Sequence, residues 1–192
     1  MATIQMSDNT KSKLWEVSSR VVVYAAIGAV LYGLLLVIQV PIPGTKDVSL
    51  RPAFGLVSFF GYAFGPIVGF FTGTVGNAIG DQISGWGALT SWNWSLANGF
   101  VGLVAGLAPL YLGRLMHGSL GQKALGGAIA GVVATLVGFI FIWTDMVLGG
   151  YDFNTVLTTE YIPVITTNVI STAIVVPILV FIWEPIKERM GR

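Results

Sequence analysis

The 192-residue sequence contains no cysteine, which excludes disulfides, thiolate metal sites and thiol nucleophiles. It has one histidine, His117, in a polar hairpin beside Arg114, where it reads as a solvated loop residue. A histidine-based zinc site or catalytic triad is therefore excluded as well. Charge is scarce: Asp, Glu, Lys and Arg make up 10% of residues, against about a quarter in soluble domains. Such a chain cannot clothe a water-facing surface in the ordinary way. A net charge of +1 leaves no basic surplus to grip phosphates, which excludes nucleic acid as a partner. No phosphate-binding loop of the G-x-x-x-x-G-K-[ST] kind occurs, so the chain carries no nucleotide-driven engine.

Apolar residues are abundant, at 54%, with a mean hydropathy of +0.79. A membrane-crossing helix needs about 20 mainly apolar residues, so this length accommodates about six with short loops. The expected fold is an all-α integral membrane protein with six transmembrane helices. The spans read as Arg20 to Gln39, Pro52 to Phe64, Ile67 to Ile83, Trp92 to Leu112, Ala124 to Leu148 and Tyr161 to Trp183. The second is short and must tilt or borrow from its loop. Pro41 to Gly44 and Gly65-Pro66 read as turns, and Gly149 to Glu160 as a loop. Residues 1–19 read as a cytoplasmic tail with an interfacial helix, 20–184 as the membrane domain and 185–192 as a second cytoplasmic tail. Eight basic residues flank the spans on one side: Lys11, Lys13, Arg20, Arg114, Lys123, Lys187, Arg189 and Arg192. Only Lys46 and Arg51 flank them on the other. That asymmetry places both termini in the cytoplasm.

Polar side chains in hydrocarbon are costly, so their depth is informative. Asn77 and Asp81, four apart and on one helical face, lie in the outer half of span three. Asn98, Asp145 and Asn168 lie at similar depth in spans four, five and six, and Gln39 closes span one on that side. Trp86, Trp92, Trp94, Tyr151, Phe153 and Tyr161 stand nearby in sequence. Flat rings beside amides and carboxylates suit a planar heteroaromatic ligand, and Arg51 and Lys46 are placed to meet a ligand anion. The competing readings are an interfacial aromatic belt and interhelical hydrogen bonding. Glycines at helical spacing, Gly69, Gly73, Gly76 and Gly80 above all, mark close helix contacts. Ala25 and Ala29, with Gly28, Tyr32 and Gly33, form a small-residue face that could dock a partner helix.

Two further function classes stay open. The chain could be a membrane scaffold or assembly protein whose polar residues only pack helices. Asp81 and Asp145 also suggest an intramembrane aspartyl protease, although the Gly-x-Gly-Asp pattern of such enzymes fails at Ala78.

The stretch from Phe59 to Phe70, with Gly65-Pro66, its continuation through Gly73, Gly76, Asn77, Gly80 and Asp81, and the run Trp92-Asn93-Trp94 resemble the substrate-binding S components of energy-coupling factor (ECF) vitamin transporters. The similarity is closest to the riboflavin-type, or UPF0397, group. It implies a six-helix protein that captures a vitamin on its outer face, joins a transmembrane scaffold subunit and two ATPase subunits, and topples in the membrane to deliver its cargo. It implies no cofactor and no catalysis by this chain. Ala25 and Ala29 would match the family's scaffold-contacting alanines. Relatives often carry His at the position of Asn77 and Lys at that of Gly80, so the resemblance names no ligand. Riboflavin-like compounds, thiamine precursors and cobalamin are the candidates.

Overall fold

The computed structural model describes residues 14–190. Most of the expected amino-terminal interfacial helix, and the last two residues of the carboxy-terminal tail, lie outside the described residues. Helix α1 (Ser19–Leu35) leads into a hairpin of β1 (Val40–Pro41) and β2 (Ser49–Leu50), with Val40 opposite Leu50. A 3-10 turn, Pro52–Phe54, opens α2 (Gly55–Phe64); proline suits a first turn, where no N–H is needed. Gly65, at φ 101°, breaks the chain before α3 (Pro66–Ile83). Next come α4 (Trp92–Gly106), the short α5 (Ala108–Tyr111) and α6 (Gly113–Met116). Helix α7 (Leu120–Gly138) starts at a reciprocal cap between Ser119 and Gln122 and continues through 3-10 turns, Phe139–Thr144, into α8 (Asp145–Leu148). The last stretch is α9 (Phe153–Thr155), a π-helical segment Val156–Tyr161, and α10 (Ile162–Arg189).

Among the described residues, two continuous helical stretches are long and apolar enough to cross a membrane: Leu120–Leu148 and Phe153–Arg189, at mean hydropathies of 2.4 and 2.2. Ser19–Leu35 and Pro52–Phe64 are apolar but shorter. The outward faces carry large exposed apolar side chains, among them Val22, Ile27 and Leu34 on α1 and Ile174, Ile178 and Phe181 on α10. Water does not tolerate apolar surface on that scale, whereas lipid is a good solvent for it.

Several boundaries depart from the sequence expectation. Residues 153–160, expected as loop, are helical, because Asp152 caps the segment by accepting from the Asn154 and Thr155 amides at 2.9 and 3.1 Å. The last helix runs on to Arg189, through much of the expected tail, where Glu184 pairs with Lys123 and, at 3.3 Å, with Lys187. Span four ends as α-helix at Gly106, since Pro109 has no N–H to donate back to the Ala105 carbonyl.

Helix α3 packs between α1 and α4, and its glycines form one stripe that serves two neighbours. At one end a side chain on Gly69 would lie 2.2 Å from the Gly102 carbonyl oxygen, and one on Gly73 would lie 2.2 Å from that of Asn98. Toward the hairpin end, Gly76 lies under Tyr32 and the Ala29 carbonyl, and Gly80 under Leu36. Backbones this close are held by dispersion over an area that any Cβ would prop open. The small-residue face of α1 is therefore spent inside the protein. Ala25 and Ala29 are buried together with Gly28, Tyr32 and Gly33, so the expected docking face is an internal seam in this structure. The side chains α1 turns outward are Val22, Ile27, Val30 and Leu34.

Candidate functional site

At the hairpin end the helices diverge around a cavity of about 430 Å³. Its floor is set by hydrogen bonds that converge on α4. The Tyr32 hydroxyl, from α1, donates to Asn98 Oδ1 at 2.7 Å, and Asn98 Nδ2 donates to the Trp94 carbonyl at 2.8 Å. Gly76 makes the first of these possible, because a Cβ there would lie 2.7 Å from the Tyr32 ring. Asn77 Nδ2, from α3, donates to Asp81 Oδ2 at 2.9 Å and to Ser95 Oγ at 3.1 Å. The Asp145 carboxylate accepts from Asn93 Nδ2 and from the Trp94 indole N–H, each at 2.7 Å. Helices α3 and α8 are thus tied to α4 through side chains that line the cavity, Asn77 and Asp145, and α1 is tied to it through Tyr32, which lines a smaller neighbouring hollow.

The hairpin forms the rim. Arg51 Nε donates to Gln39 Oε1 at 2.9 Å, the Lys46 amide donates to the Thr159 carbonyl at 2.9 Å, and Lys46 Nζ sits 4.0 Å above the centre of the Tyr151 ring. Contact with the Tyr151 side chain, ahead of the nearby Glu160 and Asp47 charges, holds the Lys46 pKa above the ordinary lysine value. Across the cavity, Gly85 and Gly87 at φ 85° and 88° turn the chain through conformations that a side chain disfavours. This brings the Trp86 amide to the Asp81 carbonyl at 2.9 Å and leaves the indole half exposed over the cavity.

Of the residues singled out from sequence, Arg51, Asn77, Asp81, Trp86, Trp92, Trp94, Asp145 and Tyr151 line this cavity together. Asn98 and Asn168 line a smaller hollow of about 50 Å³, which Arg51 and Trp94 also border. Phe153 and Tyr161 turn elsewhere, packing on Trp143 with ring centres 5.1 and 5.4 Å apart. Lys46, Asp47, Asn93 and Glu160 also line the main cavity. Tyr32 lines the smaller one. Glu160 lies in the π-helical segment and is 2% exposed; such widened turns recur at functional sites.

The wall can bind but is not built for a metal. Among the described residues, no three His, Cys, Asp or Glu side chains are grouped to hold an ion. Asp81 and Asp145 each hold hydrogen bonds to their own neighbours rather than to one another. Rings, amides and dispersed carboxylates around an open hollow suit an organic molecule.

Comparison with known proteins agrees with this geometry. Residues 16–184 match the family model described as ECF-type riboflavin transporter, S component. The chain is 39% identical over 107 residues to a UPF0397 protein of Vibrio atlanticus, covering 55% of this chain and 58% of that protein. It is 37% identical over 106 residues to a UPF0397 protein of Aliivibrio salmonicida, covering 55% and 57%, and 36% identical over 106 residues to one of Aliivibrio fischeri. The aligned region spans a little over half the length of these curated relatives.

Proposed function

Because this chain belongs to the family of ECF-type riboflavin transporter S components, we propose that it is the substrate-binding subunit of an importer. Its cavity captures a vitamin or related micronutrient from outside the cell. The family is one of transporter subunits, not of catalysts, and ATP hydrolysis falls to partners: a transmembrane scaffold subunit and two ATPase subunits. In this reading residues 20–184 cross a prokaryotic plasma membrane six times with both termini in the cytoplasm. Arg20, Arg114, Lys123, Lys187 and Arg189 stand at helix ends away from the hairpin, which by the positive-inside rule supports a cavity that opens outward.

The observation that carries the reading is the cavity itself. Five polar groups of the kind that lipid makes costly, Arg51, Asn77, Asp81, Asp145 and Glu160, surround one hollow, even where Asn77 and Asp145 also bond to α4. Its volume of about 430 Å³ has room for about fourteen waters at about 30 Å³ each. That suits a ring system of one to three fused rings.

The test is ligand-induced change in tryptophan fluorescence and melting temperature of the purified chain in nanodiscs. One vitamin of the panel raises the melting temperature, and Asp81→Ala and Asn98→Ala weaken its binding. If no ligand shifts either signal, and both substitutions only destabilise, the polar groups are helix glue and the chain is a scaffold.

A further inference from the structure

Resting on the reading of the cavity as a substrate site, we infer that its ligand is a planar nitrogen heterocycle carrying a positive charge, as a protonated amine or quaternary nitrogen. Four carboxylates line the cavity, Asp47, Asp81, Asp145 and Glu160, against two cations, Lys46 and Arg51. Both cations sit on the hairpin at the rim and are partly engaged, Lys46 over the Tyr151 ring and Arg51 on Gln39. The deeper wall is made of acceptors.

Which hydrogen-bonding capacity is already used decides the class. On that deeper wall the Trp94 indole N–H and the Asn93 side-chain nitrogen are taken by Asp145, and the Asn77 nitrogen by Asp81 and Ser95. Two buried polar atoms of the lining are left over, and both are oxygens. Asn77 Oδ1 and Glu160 Oε2 are buried and have no hydrogen-bond partner, and each residue is 2% exposed. A buried acceptor without a donor is costly, and a carboxylate more so. A ligand that brings donors and a positive charge relieves both. The half-exposed Trp86 and Trp92 indoles, 50% and 45% exposed, offer faces that attract a cation through the ring quadrupole. No three of the acidic groups are placed to share a metal ion, so the charge is to be met by an extended organic cation.

The experiment is calorimetric titration of the full chain in nanodiscs at pH 7. The ligands are thiamine and an aminomethyl-aminopyrimidine as cationic rings, riboflavin as a neutral ring and pantothenate as an anion. A cationic ring binds at least about tenfold tighter than the neutral and anionic compounds, the size of one hydrogen bond to a charged group. Glu160→Gln, which keeps the shape and removes the charge, weakens that ring by a similar factor. Asp47→Asn, on the exposed hairpin where the left-handed backbone at φ 55° tolerates Asn, weakens it severalfold without touching the core. Tightest binding by riboflavin would overturn the charge inference and leave the substrate-site reading standing. So would a cation whose affinity ignores both substitutions. Silence across the whole panel would overturn both.

Discussion

Asp145 offers the sharpest test of how the cavity wall is held. Its two oxygens accept from two donors on α4, Asn93 Nδ2 and the Trp94 indole N–H, each at 2.7 Å. Asp145 and Asn93 are buried, at 8% and 4% exposure, so neither can turn to water. In Asp145→Ala both donors lose their acceptor. Asn93 retains Thr144 Oγ1 at 3.1 Å, whereas Trp94 Nε1 has no second acceptor. An unsatisfied buried donor costs about 1–3 kcal/mol, and Trp94 is only partly buried, so the loss is about 1–3 kcal/mol in all. Asp145→Asn behaves differently. The one remaining oxygen can face Trp94, and the Asn93 amide can flip to accept from the new NH₂ at the expense of its bond to Thr144. The net change is about one neutral hydrogen bond, roughly 1 kcal/mol. Melting temperature and the emission maximum of Trp94 in an otherwise Trp-to-Phe background measure both variants. The expected order is wild type, then Asn, then Ala, with a red shift of Trp94 emission only in the alanine variant. Equal melting of the two variants, or unshifted Trp94 emission in Asp145→Ala, would refute the account of Asp145 as the clamp on α4.

Three further outcomes follow from the packing and the caps. At Gly102 a methyl group would lie 2.0 Å from the Gly69 carbonyl oxygen, so Gly102→Ala must push α3 and α4 apart by more than an ångström. It should lower stability by about 1–3 kcal/mol or more and loosen ligand binding through Asn98. Gly121→Ala, in the first turn of α7 with nothing within 4 Å, should instead leave melting unchanged or raise it. Asp152 is held below the ordinary aspartate pKa of 3.8, chiefly by hydrogen bonds from Thr155. Because the folded-state value is the lower one, its support for the helix start is complete above 3.8 and fades as pH falls through the folded value. Exchange at the Asn154 and Thr155 amides should accelerate over that acid range, and Asp152→Asn should flatten the pH dependence.

The helical segments were largely legible because apolar runs of span length are interrupted by strong breakers: Pro52 and Gly65-Pro66 each stand where the structure turns. Depth alone singled out Asn77, Asp81, Asn98 and Asp145, since a polar group in hydrocarbon must have a reason to be there; Asn77, Asp81 and Asp145 line the main cavity and Asn98 the smaller hollow. What could not be read was helix rotation. In a soluble protein the apolar face marks the inside, but α1 is apolar all round, with Val22 and Ile27 exposed and Ala25 and Tyr32 buried. Ala25 and Ala29 therefore read equally well as a docking face and as a packing seam; in this structure both side chains are buried. Tyr32 among small residues gave no sign that its hydroxyl would reach Asn98, 66 positions away. Glu160 was hidden for another reason. It precedes the apolar run, and a π-helical turn that rotates it into the wall leaves no periodicity to find.

The choice between ligand wall and helix glue dissolves when the polar groups are taken atom by atom. Tyr32, Asn77, Asn93 and Trp94 spend their donors on bonds between helices, and all of those bonds end on α4. Of these, Asn77 keeps a side-chain oxygen without a partner while its nitrogen is spent, and Glu160 adds another on the cavity wall. Glue and wall are one set of residues with two sets of atoms. The last helix stands apart from this scheme: Asn168 and Glu160, on its side of the cavity, make no side-chain hydrogen bond to α4, and the segment is instead tied to the hairpin by the Lys46 amide on Thr159. Three walls are therefore fixed relative to α4. The fourth, formed by the hairpin and the start of the last helical stretch, is held mainly by apolar packing, Val164 against the core around Phe139 and Ile142. Apolar packing is non-directional and fixes spacing less strictly than a hydrogen bond does. A ligand that supplies donors to Glu160 provides the polar tie this side lacks, so binding energy is spent where the cavity is least constrained.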